Sequence, residues 1–135
     1  MKVDTHLTQN WRKVPAAVQA AEADGYDGVG TAEMNHDPFF PLLLAAEHSE
    51  SIEIRTGIAV AFARSPMILA NQAHDLNAYS KGRFTLGLGS QIRPHITKRF
   101  SMPWGAPAAQ MKELIQVMRA IWANWYDGEP LRFEG

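Results

Sequence analysis

The feature that most constrains the fold is a strand-like segment followed by a helix-like segment, repeated four times along the chain. The strand-like segments are "KVDTHL", "YDGVGTAE", "SIEIRTGIAVAF" and "RFTLGLG", and each precedes a segment with helical spacing of apolar residues. This alternation predicts an α/β fold in which parallel strands are joined by right-handed crossovers. Two architectures fit: a doubly wound open sheet, and a (β/α)8 barrel of which four units would be half.

Local signals mark several helix ends. Gly25 follows the first helix-like segment and is placed to end it. Ser65 suits the N-cap of the third helix, Pro66 its first turn and Gly82 its C-terminal stop. These residues predict helices that begin and end close to the limits of the apolar pattern.

Composition narrows the class of protein. The chain has 135 residues, 46% hydrophobic and 20% charged, with a net charge of -1 and no cysteine. These values predict one globular domain over residues 1–135, without disulfides or a thiolate metal site. The absence of a basic block argues against a nucleic-acid partner. With no signal-peptide pattern and no apolar run of about 20 residues, we expect a cytoplasmic protein without a membrane partner.

In either architecture the chemistry should lie at the carboxyl ends of the strands. The second strand ends in "EMNHD", which places Glu33, Asn35, His36 and Asp37 within five residues. His36 is a candidate general acid or base. The alternative is a solvated loop histidine beside an Asp37 that caps the next helix, and the local pattern favours that alternative. A metal site is not expected, because His36 and Asp37 are adjacent and no second ligand cluster follows.

The fourth strand ends in "GLGSQ", where backbone N–H groups near Gly87, Gly89 and Ser90 could approach an anion. The segment fails as a dinucleotide-binding fingerprint because Ile92 stands where GxGxxG needs its last glycine. A long loop, residues 91–105, follows with four basic or histidine side chains. It is either an anion-binding loop or the solvated face of a short helix near residues 96–100.

The third strand raises a separate question because Gly57 interrupts an otherwise good β-branched run. A glycine inside a strand often marks a bulge or the close approach of a ligand. The residues alone favour an ordinary strand glycine.

The chain as a whole resembles the luciferase-like flavin monooxygenases, which include bacterial luciferase, alkanesulfonate monooxygenase and oxidoreductases that use the deazaflavin coenzyme F420. The most telling segment is "SKGRFTLGLGSQ", residues 80–91, supported by "RTGIAVAFARSP" and "IWANWYDGEPLRFEG". The match "GLGSQIRPHITKRFSMPWGAP" indicates the branch that uses coenzyme F420.

The resemblance implies four βα units of a (β/α)8 TIM barrel, the N-terminal half of a longer protein. It implies an oxidoreductase that transfers a hydride between coenzyme F420 and a small-molecule substrate. An FMN-dependent luciferase-like monooxygenase and a non-catalytic flavin-binding half-barrel are the alternatives. Two copies of a four-unit chain could also pair, so a homo-oligomer is expected. An unrelated doubly wound nucleotide-binding domain is disfavoured by Ile92.

The resemblance also implies roles for particular residues. A cis peptide bond is expected at Gly57–Ile58, where the strand, continued by Ala59, would form a bulge against the cofactor ring. Glu33, Asn35 and His36 are expected to line the ring and the substrate pocket. Met34 stands at the position of the catalytic histidine of bacterial luciferase, which argues against luciferase-type chemistry. Gly89, Ser90 and Gln91 are expected near the ribityl chain, and Arg64 near the cofactor or substrate.

Overall fold

The structure is a computed structural model that describes residues 1–135. The chain divides into two compact units. The first contains residues 1–59 and 72–88, and the second contains residues 60–71 and 89–135. The prediction of a single domain over the whole chain stays a prediction.

Six strands and four α-helices follow the predicted order. The strands are β1 (Asp4–His6), β2 (Gly28–Thr31), β3 (Glu53–Thr56), β4 (Ala59–Val60), β5 (Phe84–Thr85) and β6 (Leu88–Gly89). The helices are α1 (Val14–Ala23), α2 (Phe39–Glu47), α3 (Pro66–Tyr79) and α4 (Pro107–Asp127). Two 3-10 turns, Trp11–Lys13 and Ala61–Ala63, and a π-helix, His95–Arg99, complete the chain.

The first unit is built on a four-stranded parallel sheet with the strand order β1-β2-β3-β5. Val29 on β2 lies between Thr5 on β1 and Ile54 on β3. Ile54 in turn lies beside Phe84 on β5. The strands therefore neighbour one another in chain order. A doubly wound sheet reverses its strand order partway, whereas a barrel does not. The observed order confirms the parallel α/β prediction and favours the barrel architecture.

The core of this unit lies between the sheet and its helices. Val29 and Ile54 are fully buried on the sheet, as are Val18 on α1 and Leu42 on α2. Gly25 and Gly82 end α1 and α3 with φ values of +83°, a left-handed conformation that favours glycine. The predicted C-terminal signals of these two helices are confirmed.

Glu22 joins the end of α1 to the segment that enters β3. Its carboxylate accepts hydrogen bonds from the N–H groups of Glu50, Ser51 and Ile52, with distances of 3.1, 2.8 and 2.9 Å to Oε2. These hydrogen bonds, that from Ser51 above all, lower the pKa of Glu22, while burial opposes the change. The carboxylate thus fixes the start of a central strand.

The predicted third and fourth strands are each divided in two. The third breaks at Gly57–Ile58, where the peptide bond is cis as expected, and resumes as β4. The fourth breaks at residues 86–87 between β5 and β6. The strands β4 and β6 form a separate two-stranded sheet.

The second unit packs around one face of α4. Leu114, Met118 and Ile121 on α4 are buried, and Trp122 Nε1 donates a hydrogen bond to the carbonyl oxygen of Ala70 at 3.2 Å. Ser65 Oγ accepts from the N–H of Ile68 at 3.2 Å, which confirms the predicted N-cap of α3. No helix in the chain combines the length and apolarity needed to cross a bilayer.

Candidate functional site

The carboxyl ends of β2 and β3 are tied together by backbone hydrogen bonds that continue past the strands. The N–H of Gly57 donates to Thr31 O at 2.6 Å, and the N–H of Glu33 donates to Ile58 O at 3.1 Å. The segment around Glu33 therefore lies directly beside the Gly57–Ile58 peptide. Sequence reasoning placed Glu33 at a strand end and Gly57 inside the third strand, and the structure brings the two segments into contact.

A second set of hydrogen bonds braces the same edge from the side of β5. The Thr56 hydroxyl donates to Gly87 O at 2.8 Å and accepts from the Gly87 N–H at 2.9 Å. The N–H of Ala59 also donates to Gly87 O, at 2.8 Å. Because the Gly87 N–H is bonded to the Thr56 hydroxyl, this N–H is not available to an anion.

Gly87 has to be a glycine for a steric reason. A Cβ built there would overlap the carbonyl oxygen of Thr56 and lie 3.2 Å from its carbonyl carbon. The backbones of residues 56 and 87 thus approach more closely than any side chain permits. The glycine serves the packing of one strand end against another.

The "EMNHD" segment presents its members differently. Glu33 is only 6% exposed, whereas Asn35 and His36 are exposed. Asp37 Oδ1 accepts hydrogen bonds from the N–H groups of Phe39 and Phe40 at 2.7 and 2.9 Å, which confirms that Asp37 caps α2. The segment offers an amide and an imidazole to solvent above a buried carboxylate.

Asn35 and His36 line a cavity of about 110 Å³ at the carboxyl ends of β1 and β2. His6, the last residue of β1, contributes to its wall together with Gln9 and Trp11, which follow the strand. Sites for drug-sized ligands usually measure about 300–1,000 Å³. The cavity therefore has room for one end of a cofactor or for a small substrate group, and not for a whole flavin.

The backbone beside this cavity is open. Gly57 is exposed, and a Cβ built on it would meet only Thr31 O, at 3.8 Å. Ala59, two residues later, is fully buried. The edge thus carries a side-chain-free peptide surface, held by the hydrogen bonds from Glu33 and to Thr31, against which a planar ring can lie. These residues fit a flavin-type ring.

The other predicted cofactor residues belong to the second unit. Arg64 is half-buried, and its Nη1 donates a hydrogen bond to Val60 O at 3.1 Å. Gly89, Ser90 and Gln91 are half-buried, and Gln91 has a φ of +56°. Their expected roles at the cofactor stay predictions.

Three residues of this edge were missed by sequence reasoning. They are His6 and Trp11, which line the cavity, and Thr56, whose hydroxyl is hydrogen-bonded to the backbone of Gly87. No local motif marks them. Their positions at the ends of β1 and β3 were the only available signal, because carboxyl ends of parallel strands meet at one edge.

No group of three or more histidine, aspartate or glutamate side chains in the chain is placed to hold a metal ion. The groups present at this edge are an imidazole, an amide, a buried carboxylate and an open peptide surface.

Comparison with protein families gives one match over nearly the whole chain. The model for luciferase-like monooxygenase matches residues 2–135. Among curated proteins, an uncharacterized protein of Mycobacterium tuberculosis is 57% identical over 135 residues, which cover all of this chain and 40% of that protein. A 5,10-methylenetetrahydromethanopterin reductase of Methanolobus tindarius is 29% identical over 128 residues, 91% of this chain and 39% of the reductase. The chain thus spans about 40% of the length of these relatives.

Solved structures share the fold. The oxygenating constituent of 3,6-diketocamphane monooxygenase from Pseudomonas putida, in complex with FMN, has a TM-score of 0.82 at 18% identity, covering 100% of this chain and 42% of that one. The coenzyme F420-dependent tetrahydromethanopterin reductase of Methanopyrus kandleri has a TM-score of 0.76 at 20% identity, with the same coverage. At these identities the likeness is one of fold, and it places the chain's βα units as part of a TIM barrel.

Proposed function

The chain belongs to the luciferase-like monooxygenase family, and from that premise we propose that it binds the ring of a flavin-type cofactor for oxidoreduction of a small-molecule substrate. We propose coenzyme F420 as the cofactor and hydride transfer as the reaction.

One observation carries the proposal: an open peptide surface at Gly57 lies beside a buried Glu33 and a small cavity whose wall includes Asn35 and His36. Gly57 and Ile58 are hydrogen-bonded to the segment that bears Asn35 and His36. A planar ring needs a flat, side-chain-free surface on one face and polar groups at its edge. The carboxyl edge of the sheet supplies both within one unit.

The chain's own residues would divide the work. The Gly57–Ile58 peptide would support one face of the ring, with the buried Ala59 behind it, and the Asn35 amide would hydrogen-bond at its edge. His36 would hold or accept the proton that accompanies transfer of a hydride, with Glu33 as the second candidate catalytic group. When bound, the deazaflavin supplies the hydride chemistry itself.

The remaining proposed contacts rest on the family resemblance. Backbone and side-chain groups of Gly89, Ser90 and Gln91 would bind the ribityl chain. The Arg64 guanidinium would bind an anionic part of the cofactor or substrate.

The choice of coenzyme F420 is supported by sequence likeness to an F420-type branch. The relevant segment is residues 87–107, and the methanopterin reductase of Methanolobus tindarius matches over 128 residues at 29% identity. An FMN-dependent monooxygenase is the second candidate, supported by the fold likeness to an FMN-bound monooxygenase. A homo-oligomer also stays a proposal.

Fluorescence titration of the chain with coenzyme F420, and separately with FMN, tests the function. We expect saturable binding of F420 and weaker binding of FMN. The Asn35→Ala variant should lose about 2- to 13-fold in affinity, as for one lost hydrogen bond of roughly 0.5–1.5 kcal/mol. Asn71→Ala, at an exposed position of α3, is the matched control and should bind like wild type.

The possible outcomes separate the candidates. Binding of FMN alone would replace the proposed cofactor. Binding of F420 without turnover of any reduced or oxidised form would favour the non-catalytic binding module. Binding of neither cofactor would overturn the proposal for this chain.

A further inference from the structure

The imidazole of His36 is exposed on a loop, so its direction is not set by burial. It lies at the cavity wall, immediately before the Asp37 cap of α2. A proton-transfer group works only when it is held within hydrogen-bond reach of its target. Some other contact has to hold the ring if it acts as proposed.

Trp11 provides such a contact. Its ring centroid lies 6.1 Å from that of His36 at an interplanar angle of 70°, an edge-to-face arrangement. The distance and angle fall in the range preferred by aromatic pairs. Both side chains line the same cavity.

Trp11 is itself fixed on both sides. Its loop is held by hydrogen bonds from the Asn10 N–H to Thr8 Oγ1 and from the Arg12 N–H to Asn10 Oδ1, each 3.2 Å. The indole also packs on Phe40 at 5.7 Å. Phe40 lies in the first turn of α2, four residues after His36, so the indole contacts both sides of the Asp37 cap.

We propose that Trp11 is a positioning residue that holds the imidazole of His36 at the cavity wall. The inference rests on the proposed function, in which His36 holds the proton that accompanies hydride transfer. The rigid indole connects the loop after β1 to the loop after β2. Trp11 thereby orients the His36 imidazole, whose direction is not fixed by the loop that carries it.

Proton NMR of the full chain tests this directly, because an indole shifts the resonances of a ring that it contacts. We expect nuclear Overhauser contacts between the Trp11 indole and the His36 ring in the wild-type protein. Trp11→Leu should move the His36 ring signals toward those of an unstructured histidine, and Trp11→Phe should restore part of the shift. Trp104→Leu removes a similar edge-to-face pair, with Phe62 in the second unit, and should leave the His36 signals unchanged.

A functional readout then separates positioning from simple packing. Trp11→Leu should lower kcat about 2- to 10-fold with little change in KM, and Trp11→Phe should recover most of the loss. An equal decrease in kcat for Trp11→Phe and Trp11→Leu would overturn the positioning role. A change in KM alone, with kcat unaffected, would overturn it as well.

The NMR result stands apart from the proposed function. If wild-type chain shows no Trp11–His36 contact, the inference fails even when F420 binds. If the contact is present but neither cofactor binds, the proposed function fails while the contact is established. The wild-type measurement needs no variant, so a variant that fails to fold does not remove the test.

Discussion

Replacing Gly87 by alanine should destabilise the first unit by about 3 kcal/mol or more. The added Cβ overlaps Thr56 O and lies 3.2 Å from the carbonyl carbon. Both are backbone atoms of β3, and β3 cannot retreat without disturbing its pairing with its neighbours. Overpacking of this kind costs about 1–3 kcal/mol.

The same movement would strain three hydrogen bonds. Two join Gly87 to the Thr56 hydroxyl and one joins it to the Ala59 N–H. Each such bond contributes about 0.5–1.5 kcal/mol. The loss of one or two of them, added to the overpacking, gives the expected total.

Urea denaturation followed by far-UV circular dichroism measures this change. Gly30→Ala is the matched control on β2, because a Cβ there meets Arg55 Nε at an ordinary 3.5 Å. The control should fall within about 1 kcal/mol of wild type. A Gly87→Ala variant within about 0.5 kcal/mol of wild type would refute the account of this strand edge.

Further predictions concern the contacts that support this edge. Glu22→Gln should destabilise the chain by about 1–2 kcal/mol at pH 7, because hydrogen bonds to a charged carboxylate are stronger than those to a neutral amide. The folded pKa of Glu22 lies below its unfolded value of 4.5, so its stabilisation is fully present above pH 4.5 and is lost as pH falls through the folded pKa. The difference in the free energy of unfolding between Glu22→Gln and wild type should be smaller at pH 3 than at pH 7. A difference that is the same at both pH values would contradict this role of the carboxylate. Asp37→Ala should lower the stability measured by thermal unfolding by about 1 kcal/mol, whereas Asp37→Asn should lower it much less because asparagine is also a good N-cap. Equal losses for the two variants would exclude the capping role. Arg83→Lys should lower the free energy of unfolding, measured in urea, by about 2 kcal/mol. The Arg83 guanidinium donates hydrogen bonds to Ser80 O, Ile52 O and Ser49 Oγ at 2.8–2.9 Å, and a lysine ammonium cannot reproduce that planar set of donors. An unchanged stability would contradict this role.

The sequence predicted the elements well because their signals are local. Apolar spacing identified all four helices, and Ser65, Gly25 and Gly82 marked ends that the structure confirms. The parallel sheet followed from the alternation alone. The strand order that favours a barrel required the register between strands, which no single segment contains.

The site was predicted only in part, for a related reason. Its position at the strand ends, and the segment from Glu33 to Asp37, came from the pattern, and the Gly57–Ile58 bond came from the family resemblance. The contacts that build the edge join distant residues: Thr56 with Gly87, and Trp11 with His36. Such pairs depend on which residues the register places side by side.

The central claim is that the carboxyl edge of the first unit receives the cofactor ring. Backbone amide shifts measured by NMR during titration with coenzyme F420 test it most directly. We expect the largest changes on Glu33, Asn35, His36 and Gly57–Ala59. Saturable F420 binding that leaves these amides unchanged, with the largest shifts elsewhere, would contradict it.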